Sequence, residues 1–269
     1  MKAAVLITGQ LRDYKINCIN HLKHLIEPND ADVFMYACTQ NTLHSCGQSL
    51  DQKYYNTRSY TSQEIVTDAS EIYKDYLKDI VVNENENLPD DGFGTLGYFR
   101  TRMQNQIDNI GHGLNMAMEY SKANNLHYDV IVRCRPDNSR FMKPVFLTDI
   151  SLSKDQVYST IFSSGHRDLC FFAMADPDTF AKYCSYKYLE GEDPLRTDSN
   201  FTCTEHAWED YLTSIGVKVD YITDICLTFT GFDKTLPVSD FPYRNKDAKL
   251  IDAQGNLVTQ ILNPLSNSI

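Results

Sequence analysis

Three short stretches of this chain are apolar without alternating: residues 3–7 (AAVLI), 32–37 (DVFMYA) and 128–132 (YDVIV). A strand with one wet face alternates apolar and polar residues, so an unbroken run needs cover on both faces. Between the runs lie segments of helical period. Residues 14–27 carry Ile16, Ile19, Leu22, Leu25 and Ile26, and residues 98–124 carry Met103, Ile107, Ile110, Leu114 and Met118 as one stripe. Buried strands alternating with helices predict an α/β fold with a mostly parallel central sheet and helices on both faces.

The remaining elements follow from local signals. Thr61 and Glu64 form a capping box that opens a helix with Ile65, Ala69, Ile72 and Tyr76 on one face. A short strand is expected at 80–82, and further strands at 155–161, 168–174 and 217–222. Asp176 and Pro177 read as N-cap and first residue of a helix running to Tyr188, and another helix is expected over 203–215, ending at Gly216. Residues 38–60, 83–97 and 190–201 read as polar loops, and 250–262 as a hairpin about Gln254 and Gly255. With 269 residues and no linker or repeat, one domain is expected, with a core of about residues 1–230 and an extension over 231–269.

The formal charge of −11 excludes a general nucleic-acid binder, which would present a basic face, and disfavours an anionic membrane surface. No run approaches the ~20 apolar residues of a membrane span. MKAAVLITG at the start is too short for a signal peptide and runs into Arg12 and Asp13, so it reads as the first strand. Eight scattered cysteines without a CxxC suggest reduced thiols in the cytoplasm rather than zinc or a disulfide framework.

Against this acidic background, Arg133, Arg135 and Arg140 fall within eight residues, directly after a core strand and around Asp137. Strand period places Arg133, Arg135 and Asp137 on one side if Pro136 does not turn the chain. Guanidiniums so grouped suit a diphosphate, while Asp137 and Asn138 offer oxygen ligands to a divalent cation. A buried ion network, with Arg133 on Asp32 or Asp129, is the plain alternative. The first strand ends in Gly9, Gln10, Leu11 and Arg12, a turn that offers backbone N–H groups beside a cation. Neither GxGxxG nor GxxxxGK[ST] occurs, which counts against dinucleotide oxidoreductases, P-loop NTPases and methyltransferases. Tyr98, Arg100 and Gln104 open the long helix and are candidates for base or diphosphate contact. His21 and His24 read as a solvated helix face, Trp208 as core, and Asp176 and Asp178 as helix caps.

ITGQLRDY, DADVFMYA and YDVIVRCRPDNSRF together resemble GT-A-type nucleotide-sugar glycosyltransferases of the viral and bacterial polysaccharide-biosynthesis kind. The resemblance spans about residues 1–225. It implies a single GT-A-like, Rossmann-like domain that moves a sugar from a nucleoside-diphosphate sugar, such as a UDP or GDP sugar, to a glycan or other hydroxyl acceptor. Gly9, Gln10, Arg12, Tyr98, Arg100, Gln104, Arg133 and Arg135 would then hold the donor. Asp137 takes the place of the family's DxD acid and would hold Mn²⁺ or Mg²⁺. The position two before it is Arg135, so metal dependence stays open, with Arg135 supplying part of the charge neutralisation. Asp168, which opens a later apolar strand, and Glu205, at the head of a late helix, are the candidates for catalytic base or sugar positioning, with His206 beside them. Asp168 can equally be a strand start and Glu205 part of a capping box with Thr202. A non-catalytic nucleotide- or glycan-binding module on the same fold is the alternative.

Overall fold

The computed structural model describes residues 1–11, 14–39, 60–84, 96–137, 141, 143–161, 167–187, 204–222, 243–244 and 250–251. Strands β1 (Ala3–Gln10), β2 (Asp32–Cys38), β3 (Leu77–Asn83) and β4 (Val130–Cys134) lie parallel, with β1 between β2 and β4. Beyond β4 come β5 (Gln156–Ile161), β6 (Arg167–Ala175) and β7 (Lys218–Tyr221). The complete sheet has the order β3-β2-β1-β4-β6-β5-β7, with β6 antiparallel to both its neighbours. The protein is therefore a mixed α/β fold on a mostly parallel sheet.

Both faces are covered, which is why the central strands are apolar throughout. Val5, Ile7, Val33, Met35, Val130 and Val132 face one layer; Ala4, Leu6, Phe34 and Ile131 face the other. The first layer holds α1 (Tyr14–His21), its continuation through a π-helical turn at Leu22–Ile26 and Glu27–Asn29, and α2 (Ser62–Tyr73). The second holds α3 (Leu96–Ala123), α4 (Pro177–Tyr183) and α5 (Thr204–Ser214). Among the described residues no helix is long and apolar enough to cross a membrane.

The expected caps form. Thr61 accepts from the Glu64 amide while Glu64 accepts from the Thr61 amide, and Asp176 accepts from the amides of Asp178 and Thr179. Such caps contribute about 1 kcal/mol each. Trp208 is fully buried, stacked on Tyr183 at 4.4 Å.

Several helix faces differ from expectation. The buried stripe on α3 runs Ile107, Ile110, Leu114 and Ala117, and Met118 at its margin is exposed. On α1 the inward face runs through Tyr14, Cys18 and His21 at helical spacing, and Ile19 is exposed. His21 is therefore not on a solvated face: it is fully buried, edge-on to Phe141 at 5.9 Å. On α2 the inner positions are Ile65, Ala69 and Tyr73, and Tyr76 falls in the turn beyond the helix. The α4 helix stops at Tyr183, short of Tyr188. Residues 250–251 pair backwards, with β8 (Tyr243–Arg244) antiparallel to β9 (Leu250–Ile251); the expected turn at 254–255 lies outside the described residues.

Candidate functional site at the carboxyl edge of the sheet

The winding of the sheet reverses at β1. The chain passes from β1 outward to β2 and β3, then returns to place β4 on the other side. In open α/β sheets ligands sit outside the carboxyl ends of the strands at such a reversal. The ends of β1 and β4 are where the Gly–Gln and Arg–Pro–Asp sequences lie.

These two strand ends touch. Gly9 has φ +130°, a conformation that strains any residue with a side chain. A Cβ there would lie 3.6 Å from Pro136 Cδ and 3.9 Å from Arg135 Cγ. Glycine thus lets the β1 end lie directly against the segment leaving β4. Gln10 follows, largely buried. Arg12 and Asn138 lie outside the described residues.

Arg133 and Arg135 have different surroundings. Arg133 pairs in register with Leu6 and is fully buried on the α3 face, where its Nε donates to Thr8 Oγ1 at 3.3 Å. Asp32 and Asp129 have other donors: Asp32 accepts from Tyr128 and Lys2, and Asp129 from the Lys2 amide. The charge of Arg133 is felt by its neighbours. Burial pushes the Cys134 and Cys184 thiols up, and the guanidinium pulls both partly back.

Arg135 lies past the end of β4, and residues 136–137 turn. The turn breaks the single row that strand period predicts, because Pro136 cannot continue the ladder. Arg135 and Asp137 face each other instead: Nε donates to Oδ1 at 2.9 Å and Nη2 to Oδ2 at 2.8 Å. The Asp137 side chain is 0% exposed and that of Arg135 14%. This is the parallel two-bond geometry in which guanidinium and carboxylate interact most strongly.

The segment after the pair is pinned to the first helix by asparagines that sequence reasoning passed over. Asn17 Nδ2 donates to the Pro136 carbonyl at 2.9 Å. Asn20 takes both sides of Phe141, accepting from its amide at 2.7 Å and donating to its carbonyl at 3.0 Å. Further along, Asn29 accepts from the Leu147 amide and donates to the Val145 carbonyl. The signal was present as Asn17 and Asn20 three apart on one helix, flanking inward-facing Cys18, since polar residues on an apolar face need buried partners.

The other candidates reach the same edge by topology. Along α3, Asn109 meets Cys38 Sγ at 3.6 Å, His112 stacks on Tyr36 at 4.9 Å and Tyr120 meets Phe34 at 5.5 Å. The helix therefore runs antiparallel to β2. Its turns before Asn109 extend roughly 20 Å beyond the strand end at 1.5 Å per residue. Tyr98 and Arg100 belong to that first stretch of the helix. Gln104 donates to Asp108 Oδ1 at 2.8 Å, and Lys187 donates to the same oxygen at 2.7 Å. Asp168 pairs with Thr160 across β5 and β6 near the carboxyl end of β5. Glu205 is the second residue of α5, which leads into β7.

A divalent cation held by Asp137 does not fit the site as folded. Both carboxylate oxygens accept from Arg135 and the side chain is sealed, whereas a hard cation needs several open oxygen ligands. Among the described residues, no group of three His, Cys, Asp or Glu side chains could hold an ion.

Fold and edge together define an α/β protein whose sheet reverses its winding at a Gly–Arg–Asp cluster. No family model matches the sequence, and no curated protein matches it. Among solved structures the chain is similar to the galactosyltransferase LgtC in complex with donor and acceptor sugar analogs. The TM-score is 0.33 at 8% sequence identity, covering 67% of this chain. The matched part spans 59% of that galactosyltransferase.

Proposed function

We propose that the protein is a nucleotide-sugar-dependent glycosyltransferase, one cytoplasmic catalytic domain over residues 1–269 that transfers a sugar to a hydroxyl acceptor. The observation that carries this reading is the bidentate Arg135–Asp137 pair lying against Gly9 at the reversal of the sheet. A carboxyl edge with a guanidinium and a close backbone approach suits a diphosphate. The sequence motifs at these two strand ends supply the sugar.

In the reaction the acceptor oxygen bonds to the anomeric carbon. The bond from that carbon to the β-phosphate oxygen breaks, and its electron pair leaves with the nucleoside diphosphate. The acceptor proton passes to a base. Arg135 binds the departing diphosphate, and the buried charge of Arg133 stabilises it from behind, since a fixed cation in a low-dielectric setting favours developing negative charge. Gly9 and Gln10 bound the phosphate end of the cleft. Tyr98 and Arg100 on the helix overhang, with Gln104 below, close it over the base. Asp168 and Glu205 serve as acceptor base or sugar-positioning groups.

Two measurements test this. UDP or GDP sugars should raise the melting temperature, and a common set of sugar nucleotides that all leave it unchanged would overturn the reading. Slow donor hydrolysis without acceptor, lost in Asp168→Asn or Glu205→Gln, separates a transferase from a binding module on the same fold.

A further inference from the structure

Among the described residues the sheet ends in two edge strands, β3 and β7, and they are built differently. The β7 strand has four residues, two of them charged, with Lys218 Nζ 3.2 Å from Asp220. A short charged edge is a poor template for another strand. The β3 strand has seven residues, and Ile80, Val81 and Val82 run through its middle. Its ladder to β2 fixes which backbone groups face outward. The Thr39 amide donates to the Asn83 carbonyl at 3.1 Å, and successive residues of a strand address its two sides in turn. Asp79, Val81 and Asn83 therefore bond to β2, while Ile80 and Val82 present N–H and C=O to the outer side. Ile80 and Val82 pack their side chains on the α2 layer, and Val81, on the opposite face, is 39% exposed.

One residue of β3 runs against the strand's composition. Aspartate is depleted in strands, yet Asp79 stands exposed directly before the apolar run. Its Oδ1 accepts from the Ile80 amide at 2.8 Å, and that amide is one an incoming strand would need. We propose that the outer edge of β3 is a self-complementary pairing surface for a second copy of this chain, and that Asp79 holds it closed. The edge fits itself antiparallel about a twofold axis through Val81. Ile80 of each copy then stands opposite Val82 of the other, and each such pair exchanges both of its backbone hydrogen bonds. The two exposed Val81 side chains meet at the axis, where directly opposed β-branched residues stabilise a pair of strands. By the same count the cation of Lys78 falls opposite the exposed carboxylate of Glu84. Pairing in this register requires Asp79 to release Ile80 in both copies. The carboxylate thus fills the outward amide and sets a charge beside it, as protected edges elsewhere do with charged side chains.

The test is the mass of the full chain in solution, read by sedimentation equilibrium over a concentration series, with folding checked by circular dichroism. Wild type is expected to be a monomer. Asp79→Ala removes an exposed side chain and frees the amide, and should lower the dimer dissociation constant at least about tenfold, the equivalent of about 1.4 kcal/mol. In that dimer, hydrogen exchange at the amides of Ile80 and Val82 should slow relative to wild type. Adding Val81→Lys to Asp79→Ala should restore the monomer, because it sets like charges directly opposite each other at the axis. An Asp79→Ala protein that stays as monomeric as wild type would overturn the proposal, as would a wild type that dimerises equally well. A dimer that survives the added Val81→Lys, or that leaves exchange at Ile80 and Val82 unchanged, would place the contact elsewhere and overturn it too.

Discussion

Two buried aspartates sit at opposite edges of one sheet, and their partners differ in reach. Asp32, at the amino edge, accepts from Tyr128 at 2.8 Å and from Lys2 at 3.1 Å, with Lys78 3.6 Å away. Those residues stand at the amino ends of β1, β3 and β4, so one carboxylate ties four neighbouring strands together. Asp137, at the carboxyl edge, pairs with Arg135, a residue two positions away. A buried ion pair costs desolvation, and a long-range one offsets it by fixing strand register. The local pair has no register to fix. Its burial at the strand reversal makes sense as a site held ready for a ligand.

The contrast predicts unequal penalties. Asp32→Ala leaves a buried tyrosine hydroxyl without its acceptor and takes the carboxylate away from two lysines, and should lower unfolding stability by about 3 kcal/mol in urea titrations. A loss below about 1 kcal/mol would mean that the amino-edge network is no staple. Next comes Asn20→Ala, which strands the amide and carbonyl of Phe141 in the interior. It should cost about 2 kcal/mol by the same measurement. It should also loosen the exit of β4, seen as faster hydrogen exchange over residues 136–147. If exchange there stays unchanged, the pair does not depend on α1 for its placement.

The sequence made one side of this contrast far more legible than the other. Continuous apolar runs announced the parallel core, because side chains of successive residues must find cover on both faces. Capping chemistry placed the starts of α2 and α4. The carboxyl-edge candidates could be found because arginines after a core strand break its pattern. What they touch was hidden: the turn at Pro136 swung Asp137 onto Arg135, and no periodicity encodes that. Asn17, Asn20 and buried His21 were missed because the inward face of α1 runs through Tyr14, Cys18 and His21 and not through Ile19, which the apolar pattern had placed on it. The network about Asp32 was unreadable, since its members meet only once the strands are in register. The side chains of Asp168 and Glu205 lie outside what is described, so their placement rests on topology alone.

Alkali separates the two edges more gently. Burial, then the hydrogen bond to Asp32, raises the Tyr128 hydroxyl above its ordinary value of 10.0. A group raised on folding gives stability that is complete below its unfolded value and falls as pH rises beyond it. Tyr128 should therefore contribute a slope of about 1.4 kcal/mol per pH unit above pH 10 and none below pH 9. Stability curves of wild type and Tyr128→Phe, measured between pH 8 and 11, should diverge only above pH 10. Parallel curves across that range would show that the hydroxyl titrates as it does in the unfolded chain.

The smallest expected change in stability is also the most decisive for the comparison. Removing one member of the Arg135–Asp137 pair would leave a buried charge, so single substitutions mix stability with function. The double variant Arg135→Met, Asp137→Leu removes both charges and puts apolar side chains in their place. Replacing a buried pair by apolar residues is often neutral, so unfolding stability should stay within about 1 kcal/mol of wild type. Binding of UDP, read by calorimetry on the folded variant, should nonetheless fall at least tenfold. A structural staple would give the opposite pattern, a large loss of stability with binding untouched, because its work would be the fold and not the ligand.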